Sequence, residues 1–270
     1  MKSAISKPNL PLVLIHGWSA HSGYFAEVAE RFSEQRQVLT PDLPGHRGQP
    51  CVPETASIEY LGDWLHDYLQ RQSIEKAVFC GWSMGAHVLL SYLQRHGLAK
   101  VAGIVIEDMS PRILNTENWT LGLKSGLNHT NNLSLIAAIE TSWPKKAQYT
   151  AEAIFATNGG ADDDDEPHPR QEWVNQETQQ NNPQLLARFW ESMSQQDFRK
   201  FLPDIQCPAL IISGAKSQLY ETESGQYFAD AMPNAKHLVF TESGHAPHLE
   251  EPERFVESVE RFMSYAVLRS

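Results

Sequence analysis

An α/β architecture, with a mostly parallel central sheet and helices on both of its faces, is what this sequence predicts, and three observations carry the prediction. Apolar strand-like runs alternate with amphipathic helix-like segments three times before residue 100. A serine flanked by glycines stands where one apolar run passes into a helix, in Gly81-Trp-Ser83-Met-Gly85. The chain has 270 residues, 41% of them apolar, which suits one large domain carrying an insertion better than two equal domains.

The first strand, Leu12 to His16, ends in His16-Gly17-Trp18, and Tyr24 to Phe32 follows as an amphipathic helix. Val38 to Asp42 is a second strand closed by the Pro/Gly-rich turn Leu43-Pro-Gly45-His46-Arg47-Gly48, in which Asp42 and Arg47 read as a loop brace. Ile58 to Leu69 supplies the next helix. Ala77 to Cys80 reads as a buried strand, Gly81 to Gly85 as a sharp turn, and Ala86 to Leu93 as a helix. Val101 to Ile106 is a further strand, with Glu107 and Asp108 where it stops. After an interruption the pattern resumes with the strand Cys207 to Ser213, a helix from Glu223 to Met232, the strand His237 to Phe240 and a last helix near Pro252.

The interruption holds no clear apolar strand, whereas Leu133 to Ile139, Ala147 to Ala156 and Pro183 to Met193 have helical patterning. Residues 111–202 are therefore expected to form a helical cap inserted into a core made of 1–110 and 203–270. Its tryptophans Trp119, Trp143, Trp173 and Trp190 are candidate walls for an apolar acyl pocket, together with Trp18, Trp82 and His248. The acidic run Asp162 to Glu166 lacks the alternating ligands and central glycine of a calcium loop and is read as a solvated loop.

The strand–elbow–helix around Ser83 has a mechanical reason. A nucleophilic serine held above a sheet takes a strained backbone, and flanking glycines remove side chains that would collide with neighbouring strand and helix. A tetrahedral oxyanion then needs two converging N–H donors, for which the backbone of Met84 and of Trp18 are the candidates. His245, after Gly244 on a late loop, is the expected general base, with His248 the competitor. His16 is expected only to brace its turn. Asp108 is placed to reach a histidine over the sheet, and Glu107 is expected to cap the turn that follows the strand.

Composition narrows the partners. A net charge of −11 argues against nucleic acid and anionic membrane, and the segment from Ser110 to Lys200, with 12 acidic and 8 basic residues, offers no basic dock for an acidic carrier protein. No window is long and apolar enough to span a bilayer, the first residues lack the apolar core of a signal peptide, and a cytoplasmic location is expected. Cys51, Cys80 and Cys207 are odd in number and widely spaced, which disfavours a disulfide framework or a zinc site.

With His16-Gly17-Trp18, Gly81-Trp-Ser83-Met-Gly85 and Gly244-His245 in this order, the chain resembles the α/β-hydrolase superfamily across its core, though not its cap. The resemblance implies Ser83 as nucleophile, His245 as base and the N–H groups of Trp18 and Met84 as oxyanion hole. Many members take the acid from Gly-x-x-Asp after the sixth core strand. Here that place reads Gly214-Ala-Lys-Ser217, and serine cannot carry the charge that stabilises an imidazolium. Asp108 is then the candidate acid, with Glu107 the alternative, a pattern similar to a subgroup of small bacterial esterases and acyl-thioesterases. The His-Gly-Trp and Gly-Trp-Ser pair also resembles the pimeloyl-carrier-protein methyl ester esterases, although that group keeps the later Asp.

The expected function is that of a serine carboxylesterase acting on small-molecule esters, or thioesters, through an acyl-enzyme, with no cofactor and no metal. Two other classes stay open on the same fold: a cofactor-independent dioxygenase acting on a quinolone-type substrate, and a non-catalytic binding module.

Overall fold

In the computed structural model the described residues are 9–156 and 167–269, with side chains described through 266. The first eight residues and the whole acidic run, on which the expectations of no signal peptide and of a solvated loop fall, lie outside them.

Four consecutive strands are buried along their whole length: β1 (Leu12–Ile15), β3 (Ala77–Trp82), β4 (Val101–Glu107) and β5 (Ala209–Gly214). Burial on both faces is what a parallel sheet between two helical layers requires, and it explains their near-continuous apolar sequence. The short β2 (Val38–Leu39) and the half-buried β6 (Ala235–Phe240) close the edges. All pairs are parallel, in the order β2-β1-β3-β4-β5-β6.

Alternate strand residues feed two cores. Val13, Ile15, Phe79 and Ile104 pack beneath α2 (Ile58–Arg71), α3 (Met84–His96) and α8 (Thr222–Ala231). Leu12, Leu14, Val78 and Val105 face α1 (Ala26–Ser33) and α10 (Pro252–Arg269), through Val28, Phe32, Phe255 and Phe262. The strand order reverses between β1 and β3, so the loops leaving these two strands diverge there and open a crevice at the carboxyl ends of the sheet.

Among the described residues between β4 and β5 lie four α-helices: α4 (His129–Thr141), α5 (Trp143–Ile154), α6 (Gln171–Gln179) and α7 (Pro183–Gln195). Three of them coincide with the expected helical segments; α6 does not, because it buries only Val174 and Thr178 and has few apolar residues to mark it. A small cluster of Ile139, Trp143, Ala147, Leu186 and Ala187 joins α4, α5 and α7. A one-turn helix, α9 (Pro247–Glu250), precedes α10.

Candidate active site

Ser83 stands between β3 and α3 with φ 53° and ψ −123°, a conformation that side-chain-bearing residues rarely adopt. The elbow is as tight as the glycine spacing implies: a Cβ on Gly81 would lie 2.5 Å from the carbonyl oxygen of Gly85, and one on Gly85 would lie 2.1 Å from that of Ile15. Gly17 brings the loop after β1 against Ser83, since a Cβ there would sit 3.2 Å from Cβ of Ser83. Trp18, in the loop that Gly17 brings close, and Met84, the first residue of α3, carry the N–H groups that are the candidate oxyanion donors.

His245 is buried on the loop before α9. Its Nδ1 lies 2.7 Å from Oδ2 of Asp108. Three donors converge on that carboxylate: Gly214 N–H donates to Oδ1 at 3.0 Å, while Ser217 Oγ and the imidazole both meet Oδ2 at 2.7 Å. Ser217, which stands at the Gly-x-x-Asp position in place of an acid, therefore supplies a hydroxyl to Asp108. The loop of His245 is fixed by its own N–H to the carbonyl of Ile154, at 2.8 Å, and by Trp82 Nε1 to its carbonyl, at 2.7 Å. Glu250 adds a further tie, accepting from the N–H groups of Gly244 and Ala156 at 2.8 and 2.7 Å, although burial pushes its carboxyl up to about 7.

Over Ser83 and His245 lies a cavity of about 140 Å³. Its walls are mainly apolar, with Trp18 and Trp82 from the core, Leu135 and Ile139 from α4, Ile154 from α5, and Trp190 and Met193 from α7. Among the described residues Lys146, on α5, is the single lysine or arginine in the lining, and no described aspartate or glutamate reaches it.

Not every candidate wall residue lies there. Trp143 stands behind the lining, edge-on to Trp18 at 5.6 Å, and Trp18 in turn meets Trp190 at 5.1 Å. Trp173 packs on Tyr24, and Trp119 on Tyr227. His248 is outside the cavity altogether: it is buried against Phe25 and Trp82, and its Nδ1 and backbone N–H both donate to Oε1 of Glu107, each at 2.9 Å. Glu107 is thus not a cap of the next turn but the partner of His248. Sequence reasoning missed this pair because nothing local marks a strand end and a turn 141 residues apart as neighbours.

The histidines near β1 have structural duties. His16 donates from Nδ1 to the carbonyl of Gly17 and accepts from Leu43 N–H at Nε2, at 2.9 and 3.0 Å; burial lowers its pKa to about 3, so the ring is neutral. Asp42 and Arg47 do not brace one another. Asp42 accepts from Ser22 N–H at 2.7 Å, and the guanidinium of Arg47 lies 3.0 Å from Nδ1 of His21.

The fold and this arrangement define a class. Residues 12–258 match the alpha/beta hydrolase family, and the chain belongs to it. Among curated relatives, it is 28% identical to a pimeloyl-[acyl-carrier protein] methyl ester esterase of Chromobacterium violaceum, over 92% of each chain. It is 26% identical to the enzyme of that name in Vibrio vulnificus, over 93% of each. Among solved structures, an esterase from Exiguobacterium antarcticum superposes with a TM-score of 0.85 at 22% identity, covering 94% of this chain and 92% of that one. The enzyme class expected from the sequence, a carboxylic ester hydrolase, agrees with these relatives.

Proposed function

We propose that the protein is a serine carboxylesterase in which Ser83, His245 and Asp108 act together. The observation that carries this reading is the contact of His245 Nδ1 with Asp108, on a loop that borders the same cavity as a strained Ser83. With Nδ1 committed to the carboxylate, Nε2 is left to take the proton of the Ser83 hydroxyl as its oxygen attacks the acyl carbon. Negative charge building on the carbonyl oxygen is met by the N–H groups of Trp18 and Met84, the second at the positive end of α3. The tetrahedral intermediate expels the alcohol, which receives the proton from His245. Water, deprotonated by the same imidazole, then releases the acid from the acyl-enzyme. No step calls for a cofactor.

Residues 111–202 serve in this reading as the cap that shapes the acyl site. The apolar lining favours acyl chains of moderate length, and the relatives' name supports an ester of a small alcohol as the bond cleaved. A thioester of the same acyl group would lead to the same acyl-enzyme. A cytoplasmic setting is supported by the three free thiols among the described residues and by the lack there of any helix long and apolar enough to cross a membrane.

Reaction with a fluorophosphonate, followed by mass spectrometry, tests the assignment. One phosphonyl group is expected on Ser83, with p-nitrophenyl ester hydrolysis lost in parallel and absent in Ser83→Ala. Hydrolysis that persists in Ser83→Ala would refute it.

A further inference from the structure

Glu107 and His248 take no part in that chemistry, yet theirs is the most deeply buried ion pair among the described residues. One carboxylate oxygen accepts both hydrogen bonds from His248, while Oε2 of Glu107 and Nε2 of His248 have no partner there. Phe25, Trp82 and Phe255 enclose the imidazole. As a device for stability this is poor, because apolar side chains of the same volume would fill the site without desolvating two ionisable groups. The geometry gives the pair another use. Glu107 is the neighbour of Asp108 at the end of β4, and His248 lies three residues after His245 in the turn of α9. Two adjacent acids at the end of β4 therefore hold two histidines three residues apart.

Trp82 joins the two contacts. It precedes Ser83, packs on His248 at 4.8 Å and on His245 at 5.6 Å, and donates its indole N–H to the carbonyl of His245. Hydrogen bonds at Gly244 N–H, His245 N–H and the His245 carbonyl hold the start of this turn, where the end of β4 meets it only through the His245 side chain. The contact with Glu107, which includes the backbone N–H of His248, fixes the far side of the turn to β4 as well.

We propose that Glu107 and His248 are a positioning pair for the general base: they pin the turn that carries His245 to the end of β4, keeping its ring on Asp108 and turned toward Ser83. The inference rests on the reading of His245 as base. Neither residue borders the cavity, so substrate binding does not depend on them directly. A displacement of the base by about 1 Å is enough to lower turnover on the order of 10²-fold.

The test is ester hydrolysis expressed per active site, with sites counted by fluorophosphonate labelling so that unfolded protein drops out. His248→Phe keeps the ring and removes both the side-chain donor and the fit to Glu107. It is expected to lower kcat per site by about tenfold or more, with KM little changed. His248→Asn keeps a donor near the position of Nδ1 and is expected to recover most of that loss. Unchanged kcat per site in His248→Phe would overturn the proposal and leave the pair a packing feature. Should that variant fail to fold, Glu107→Gln decides: it keeps shape and acceptor and is expected to hold kcat near that of the unaltered enzyme. A loss as deep as that of Asp108→Asn would mean that the charge, not the anchoring, matters, and would equally overturn it. If the unaltered enzyme itself neither labels nor turns over, the assignment of Ser83 and His245 has failed, and this inference with it.

Discussion

At Asp108 a single carboxylate is held by a backbone N–H, a hydroxyl and an imidazole, on a residue whose own φ of 41° turns it out of the strand. Ser217 contributes the hydroxyl to the same oxygen that meets His245. A hydrogen bond to a charged group contributes about 1.5–3 kcal/mol, and two other donors remain when it is lost. Ser217→Ala is therefore expected to lower stability by about 1–2 kcal/mol in a denaturant titration and to leave kcat within about tenfold. A collapse of kcat in Ser217→Ala would assign the hydroxyl a larger part. Ser83 and His245 were legible from glycine-flanked motifs whose spacing has a steric cause. The place of Asp108 beside His245 was legible from a missing charge at 217 and an acid at the end of the preceding strand. The Glu107–His248 pair was not, since each of its members reads locally as an ordinary loop residue.

Among the elements, the strand–elbow–helix of β3 and α3 is the one with least tolerance. Gly85 packs so closely under the end of β1 that a methyl group would overlap the carbonyl oxygens of Ile15 and His16, at 2.1 and 2.8 Å. Backbone carbonyls at the end of a buried central strand cannot move aside as a side chain does. Gly85→Ala should cost about 3 kcal/mol or more, read as a fall in the denaturation midpoint or as failure to accumulate folded protein. A variant as stable as the parent would show that the elbow is looser than these distances. The strands of the sheet were legible because burial on both faces writes itself as apolar runs. Helix α6 was not, since its nine residues bury only Val174 and Thr178. The tryptophans divided for the same kind of reason: composition marks Trp143 and Trp190 alike, and only packing places one behind the cavity wall and the other in it.

For the whole molecule, three histidines buried in the core make stability depend on pH. Burial lowers His16 from 6.5 to about 3, and His46 and His87 from 6.5 to about 4, so each is neutral in the folded state. Below 6.5 the unfolded chain binds protons that the folded chain does not, and stability is lost as pH falls toward 4. Glu250, raised by burial from 4.5 to about 7, acts in the opposite sense, losing its contribution as pH rises through that interval. Three groups outweigh one, so the free energy of unfolding should be smaller at about pH 5 than at about pH 7.5. Equal stability at the two values would mean that the buried rings exchange protons with solvent in the folded state.

The same scale holds the central claim, because it takes β4, β5 and the loop before α9 together to set a carboxylate from the middle of the chain beside His245. The most direct test is the rate of p-nitrophenyl ester hydrolysis per labelled active site in Asp108→Asn, which keeps shape and removes charge. A fall on the order of 10⁴-fold is expected if this carboxylate orients His245 and stabilises its protonated form. A rate within about tenfold of the unaltered enzyme would contradict the account, since loss of a working acid leaves far less than that.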